Sequence, residues 1–398
     1  MGKQEILEGA MAVAHAVARC RPEVIAAYPI TPQTHISEEL SQIVADGELQ
    51  AEFVKVESEF GAASVVLGAS AAGARAYTAT SSQGLMLMAE VLWNMAGMRL
   101  PVVLACANRS VSAPLSIWCD HQDAESIRDC GVIQIYAEDS QEACDQHVIA
   151  FKVAEDRRVL LPVMVNLDGF LVTHVFEPVD LPDQDLCDKF LGKYEALYKM
   201  DVNDPMSFGC FTEPDKCMEG RWMIHDACLR SLSVIEEVSA EFARVFGRNS
   251  GGIIEEYKSK DADTILVGKG SICGTLKDVV DELRDKGQKV GLVRLKTFRP
   301  FPRKHLYEAV KNAKRIAVIE KGGSFGSGGI ITPDLKDVLY DMGAKIPVSA
   351  FCVQLGGREI TAEGIHEIVS RVSKGEQVAY EYFRLKTEIL PELVPSKK

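Results

Sequence analysis

Six short apolar runs, at 24–27, 52–56, 75–80, 101–107, 131–136 and 159–165, alternate with stretches of helical periodicity. Apolar runs of about four to eight residues read as buried strands. Strands that alternate with helices need crossover connections, which a doubly wound, mostly parallel sheet with helices on both faces accommodates. The intervening stretches carry the matching stripes. Residues 5–19 place Ile6, Ala10, Val13, Ala14 and Val17 on one helical face, and a helix after the first run places Ile36, Leu40, Ile43 and Val44. In an open sheet of this kind ligands bind outside the carboxyl ends of the strands. The residues that follow each run are therefore where chemistry is expected.

The pattern stops and resumes. From 168 to about 215 the periodicity fades and Pro178, Pro182, Pro205 and Pro214 punctuate an extended linker, followed by a long amphipathic helix over about 221–246. Glycines at 247–252 mark a boundary. Strands expected at 264–267, 290–295, 315–319 and 347–353, with helices between them, make a second, smaller α/β unit. The expected division is thus 1–250 and 251–398. The small residues of 61–64 and 68–73 let a helix pack closely and need no ligand.

Composition removes several classes of function. A formal charge of −13 argues against non-specific nucleic-acid binding. No stretch reads as a membrane span, and the N-terminus lacks a signal peptide's apolar segment, so a cytoplasmic location is expected. The eleven cysteines are scattered without a C-x-x-C pair, so neither a zinc ribbon nor an iron–sulfur cluster is expected in this chain. The glycine-rich loop 322–329 has neither P-loop nor dinucleotide spacing. Asp120-His121-Gln122-Asp123 reads as a positioning segment rather than a metal site, because no further His or Cys is spaced to complete a ligand set.

Four points fall at expected strand ends of the first unit: Thr31, Glu59, the stretch Ser81-Ser82-Gln83-Gly84, and Arg109. Thr31 is placed as a helix N-cap with Pro32 at the first helical position. Glu59, among Ala and Gly, would be poorly solvated, which raises proton affinity and suits an acid/base partner for a ring nitrogen. A solvated residue at a helix start explains it as well. Arg109 offers a fork to a carboxylate substrate; a structural salt bridge is the alternative.

The segments AYPITPQT (27–34), VESEFGAAS (56–64), GASAAGARAYTATSSQGLMLM (68–88), NRSVSAPLSIWCDHQD (108–123), FKVAEDRRVLLP (151–162), RLKTFRPFP (294–302) and LGGREIT (355–361) stand in order along nearly the whole chain. Together they resemble the 2-oxoacid:ferredoxin oxidoreductases, and within them the α subunit of the multi-subunit pyruvate type. The resemblance implies a thiamine-diphosphate pyrimidine-type domain followed by a domain like the transketolase C-terminal one. It implies a cofactor bound between this chain and a β subunit, with Tyr28, Pro29, Ile30, Ser82, Gln83 and Gly84 near it. Glu59 matches the glutamate that bonds the pyrimidine nitrogen and thereby promotes deprotonation of the thiazolium carbon. Thr31 matches a threonine near substrate and cofactor, and Arg109 the arginine that takes the substrate carboxylate.

The family's Gly-Asp-Gly motif for Mg²⁺ and pyrophosphate is absent. Only Leu167-Asp168-Gly169-Phe170 approaches it, so the metal end is expected from the β subunit. Mg²⁺ and [4Fe-4S] clusters are expected in β, γ and δ-type partners, with CoA and ferredoxin as reactants and no metal in this chain. The Thr-Pro after Tyr-Pro-Ile resembles the pyruvate type. An aromatic or branched 2-oxoacid (phenylglyoxylate, indolepyruvate, 2-oxoisovalerate) and an acceptor such as NAD would use the same scaffold. A non-catalytic assembly subunit and a self-contained transketolase-like enzyme are the remaining alternatives.

Overall fold

In the computed structural model, which describes residues 4–390, the first α/β unit is built on strands β1 (Gln4–Glu8), β2 (Val24–Ala27), β3 (Glu52–Lys55), β4 (Ala76–Thr80), β5 (Val103–Asn108), β6 (Ile133–Tyr136), β7 (Val163–Asp168) and β8 (Phe176–Asp180). The second uses β9 (Ile254–Tyr257), β10 (Thr264–Gly268), β11 (Val290–Leu295), β12 (Thr297–Arg299), β13 (Arg315–Glu320), β14 (Val348–Cys352) and β15 (Glu381–Tyr382).

The larger sheet runs β12-β6-β7-β5-β4-β2-β3, parallel except for β12. Helix Thr34–Ala45, after β2, packs on one face with helices Gly9–Arg19, Ser140–Glu155 and Pro214–Phe246, around Ile36, Tyr77, Phe151 and Phe242. Helix Ser82–Gly97, after β4, packs on the other face beside helix Glu59–Ala71, around Ala62, Val66, Leu85 and Met88. Chains leaving adjacent strands β2 and β4 thus diverge to opposite faces. That divergence opens a crevice at their carboxyl ends, which is the switch point where ligands bind in such sheets.

The smaller sheet runs β15-β14-β13-β10-β11-β9, parallel except for β9. Its own switch point lies between β10 and β13. One of its faces packs Leu266, Leu276, Phe351 and Ile368. The other contributes Val267, Val318 and Leu335 to the apolar cluster that holds Met88 and Leu104 of the first unit, so the two units share a core. Strand β12 strengthens the join by adding a second-unit segment to the edge of the first sheet.

Three expectations need correction. Residues 5–8 are strand, not helix, because β1 pairs antiparallel with β8. The stretch 168–215 is therefore not one extended linker: it carries β8 and helix Gln184–Leu191, and helix Pro214–Phe246 starts earlier than the periodicity indicates. Thr31 is not a helix cap. Gln33 N–H donates to the Ile30 carbonyl at 2.7 Å, folding 30–33 into a turn, so the helix starts only at Thr34 with Gln33 at its cap position. Among the described residues no helix is long and apolar enough to cross a membrane.

Candidate active site

The crevice between β2 and β4 gathers all four points expected from the sequence. Glu59 opens helix Glu59–Ala71, where the Ser58 hydroxyl accepts from Gly61 N–H at 3.1 Å and caps the helix. Glu59 as a residue is 8% exposed, and no hydrogen bond reaches its carboxylate from the described residues. The helix dipole favours a carboxylate there. Gly84 lies directly opposite. A Cβ at Gly84 would sit 2.7 Å from Glu59 Oε1 and 2.5 Å from Thr80 Oγ1, so only glycine lets the Ser82–Gly97 helix approach the carboxylate this closely. Gly84→Ala is therefore expected to push Glu59 aside and cut turnover of the assembled enzyme roughly 10²-fold, since a displacement of about 1 Å has that effect. Steady-state rates beside a thermal melt separate this from misfolding.

Arg109 follows β5 and is braced from three sides. Its Nη1 donates to the Thr31 carbonyl at 2.7 Å and its Nη2 to Gln83 Oε1 at 2.8 Å. Its backbone N–H donates to Asp123 Oδ2 at 2.9 Å, and the Ser82 N–H reaches the same oxygen at 3.1 Å. Burial lowers the guanidinium pKa from its ordinary value, against the pull of Asp123 and Glu59. Arg109 Nε, Thr80 Oγ1 and Ser81 Oγ are buried without a hydrogen-bond partner among the described residues. Unsatisfied buried polar atoms are costly and uncommon. Thr80 Oγ1 and the Glu59 carboxylate both lie against Gly84, and Arg109 Nε stands at the neighbouring strand end, so the switch point keeps hydrogen-bonding capacity for a polar group.

The other expected residues divide by role. Thr31 offers Arg109 its carbonyl rather than its side chain. Tyr28 and Pro29 are exposed at the rim and Ile30 is half-buried. Ser82 is fully buried and donates its hydroxyl to the Ser110 carbonyl at 2.6 Å, which makes it a brace. Asp123 holds Arg109, Ser82 and the Asn108 side chain together, in keeping with a positioning segment.

A second cluster was not legible in the sequence. Lys269 and Lys321 follow β10 and β13, at the second unit's switch point, and both are essentially buried. Lys321 Nζ lies 2.5 Å from Asp168 Oδ2, at the end of β7, and Lys269 Nζ lies 2.9 Å from His121 Nδ1 and 3.1 Å from Glu125. His121 Nε2 pairs with Asp168 Oδ1 at 2.6 Å, and Ser271 N–H donates to Asp168 Oδ2 at 3.1 Å. Burial, helped by Lys269, pushes the His121 pKa to about 3 and keeps the ring neutral. Donor atoms of Cys119, His121 and Asp168 lie within 4.8 Å of one another, but the ammonium of Lys321 stands between Asp168 and Cys119, 3.3 Å from the sulfur. The cation of this cluster is supplied by lysine.

Two doubly wound α/β units that meet at the carboxyl edges of their sheets, with the Glu59 carboxylate and an oriented arginine in the first switch crevice, define an enzyme component of the cofactor-binding α/β class. Residues 15–240 match the family model described as pyruvate flavodoxin/ferredoxin oxidoreductase, thiamine diphosphate-binding, and residues 262–365 match pyruvate:ferredoxin oxidoreductase core domain II. The chain is 47% identical to the pyruvate synthase subunit PorA of Methanosarcina barkeri over 98% of both chains. It is 49% identical to that of Methanothermobacter thermautotrophicus, over 94% of this chain and 96% of the relative. The ketoisovalerate oxidoreductase subunit VorA of Pyrococcus abyssi is 41% identical over 93% and 94%. A solved 2-oxoglutarate:ferredoxin oxidoreductase from Magnetococcus marinus shares the fold, with a TM-score of 0.70 at 21% identity, covering 94% of this chain and 65% of that one. The chain belongs to the pyruvate flavodoxin/ferredoxin oxidoreductase family, as a thiamine-diphosphate-binding subunit of a multi-subunit oxidoreductase.

Proposed function

We propose that this chain is the α subunit of a CoA-dependent pyruvate:ferredoxin oxidoreductase in the cytoplasm, and that it contributes the aminopyrimidine side of a thiamine diphosphate site shared with a β subunit. The observation that carries the reading is Glu59, a buried residue at a helix start whose carboxylate receives no hydrogen bond from the described residues and against which Gly84 is closely packed. When bound, thiamine diphosphate supplies the electron sink for decarboxylation of a 2-oxoacid. In this reading Glu59 holds a proton at the pyrimidine ring nitrogen. Arg109, braced by Gln83 and the Thr31 carbonyl, presents its fork to the substrate carboxylate. Ser82 and Asp123 keep both strand ends in register.

The metal end is assigned to the β subunit. Asp168 is the nearest approach to a Mg²⁺-binding aspartate, and its oxygens are engaged by Lys321, His121 and Ser271. Mg²⁺, [4Fe-4S] clusters and the route to ferredoxin are likewise assigned to β, γ and δ-type partners. A second reading, a branched-chain 2-oxoacid enzyme, is favoured by the likeness to the Pyrococcus abyssi VorA subunit.

The test is to purify the complex intact, identify its subunits, and assay CoA-dependent viologen reduction with pyruvate, 2-oxoisovalerate and phenylglyoxylate. Pyruvate as best substrate supports the reading; a preference for 2-oxoisovalerate keeps the site roles and changes the substrate; a chain isolated without thiamine or iron–sulfur partners overturns it. In the same complex, Arg109→Lys replaces a planar fork with a point charge. It is expected to raise KM for the 2-oxoacid roughly 10- to 100-fold, with a smaller change in kcat.

A further inference from the structure

Loop 110–120 of the first unit leads away from Arg109 and returns to the buried Asp120. Ser110 N–H closes its base on the Trp118 carbonyl at 3.0 Å. It touches the crevice twice: the Ser110 carbonyl accepts from Ser82 Oγ at 2.6 Å, and the Ser112 hydroxyl accepts from the side-chain amide of Gln83, which also holds Arg109. Its middle, Ser112–Leu115 in sequence, is exposed, so none of the described residues covers it.

The far end of the loop is gripped by the second unit. Gly357 N–H donates to the Cys119 carbonyl at 2.8 Å, Gly356 N–H donates to Asp120 Oδ2 at 3.0 Å, and Ser116 Oγ donates to the Gly356 carbonyl at 3.3 Å. Three residues of the gripping turn, Gln354, Gly356 and Gly357, have positive φ, which aims successive N–H groups at the loop. The approach leaves no room for a side chain: a Cβ at Gly357 would lie 2.3 Å from Trp118 Cβ and 3.0 Å from its Cγ. Trp118 in turn packs against Phe170, with ring centroids 4.6 Å apart.

We propose that turn 354–357 is a positioning clamp: the second unit sets the course of loop 110–120 and, through Ser112, Gln83 and Arg109, how the pocket receives its 2-oxoacid. This rests on the function proposed above, and it gives the second unit a role in substrate preference as well as in packing. The clamp residues touch no substrate. They act through the loop, and a site held only to within about 1 Å loses much of its selectivity.

The test uses the intact complex carrying Gly357→Ala, with Ser116→Ala as a milder variant that removes, without a clash, one clamp contact and the loop's own bond from Trp118 N–H. Gly375→Ala serves as the control for backbone strain, because Gly375 also has positive φ (+94°) in the same unit and a Cβ there meets nothing within 4 Å. The readouts are KM and kcat for pyruvate and 2-oxoisovalerate, the thiamine diphosphate dissociation constant, and the melting temperature. The clamp predicts that Gly357→Ala raises KM for the preferred acid about 10-fold and shifts the ratio of kcat/KM between the two acids. Ser116→Ala should shift both in the same direction by about 2- to 3-fold. Thiamine affinity should stay constant, and Gly375→Ala should keep the wild-type KM and acid preference while its melting temperature falls from backbone strain alone. If Gly357→Ala fails to assemble, Ser116→Ala decides. Unchanged KM and acid preference in the assembled variants, with only a lower melting temperature, would overturn the clamp. A wild-type complex that turns over neither acid refutes the functional reading instead.

Discussion

Glu59→Gln is expected to lower kcat of the assembled complex about 10³-fold, equivalent to about 4 kcal/mol of transition-state stabilisation. Glutamine keeps the volume and the close packing against Gly84, so the fold and subunit assembly should survive. What it loses is the ionisable oxygen that can hold a proton at a ring nitrogen. The residue is buried and its carboxylate receives no hydrogen bond from the described residues, so replacing it breaks no hydrogen bond among them. The measurement is CoA-dependent dye reduction beside thiamine content and a melt. Activity within about tenfold of wild type, with cofactor bound, would remove Glu59 from the chemistry and revive the assembly-subunit alternative.

The largest stability effect is expected at Asp168. Asp168→Asn keeps the shape but removes the charge that Lys321 and His121 face in a site closed to water. Breaking a buried ion pair from one side costs about 3–5 kcal/mol, because the other charge stays behind uncompensated. Since Asp168 belongs to the first unit and Lys321 to the second, the loss should appear as a lower denaturation midpoint and easier separation of the units. Urea titration followed by limited proteolysis reports both, and a midpoint shift below about 0.5 kcal/mol would mean that the cluster contributes no net interdomain stability.

The pH dependence has a definite sign. Burial alone would raise the Asp168 carboxyl, but Lys321 and His121 outweigh it and hold the pKa well below the usual carboxylate range. A carboxyl depressed in this way stabilises the fold above its unfolded pKa of about 3.9 and loses that contribution as pH falls through the folded value. The gap between wild type and Asp168→Asn should hold at neutral pH, begin to narrow as pH falls below the unfolded value of about 3.9, and be lost only once pH passes the depressed folded value.

Periodicity located the elements whose signal is local. Helix Thr34–Ala45 carries the stripe of Ile36, Leu40, Ile43 and Val44 that the pattern places after the first run, and each of the six runs of the first unit holds a strand of the larger sheet. Periodicity missed elements made by distant partners. Strand β1 exists because Gln4 meets Asp180, and β12 because Thr297 meets Ile135; in both cases the pairing decides the conformation, and a five- or three-residue stretch carries no period of its own. Thr31 shows the same limit at the scale of a single turn. A Thr-Pro pair has the chemistry of a helix start, but the hydrogen bond between Gln33 and Ile30 claims those residues first.

The sequence by itself determined the fold class, the family and the identity of the residues at the strand ends, because strand-helix alternation places the residues after each strand on one edge of the sheet. Only the tertiary structure decided what those residues face. It set Gly84 against Glu59, turned the Thr31 carbonyl rather than its hydroxyl toward Arg109, and closed the second unit's switch point with Asp168 and His121 on two buried lysines. Each of these is a contact across the sheet edge or between the two units. Local pattern does not encode such contacts, because they depend on which strand ends the shared core brings together.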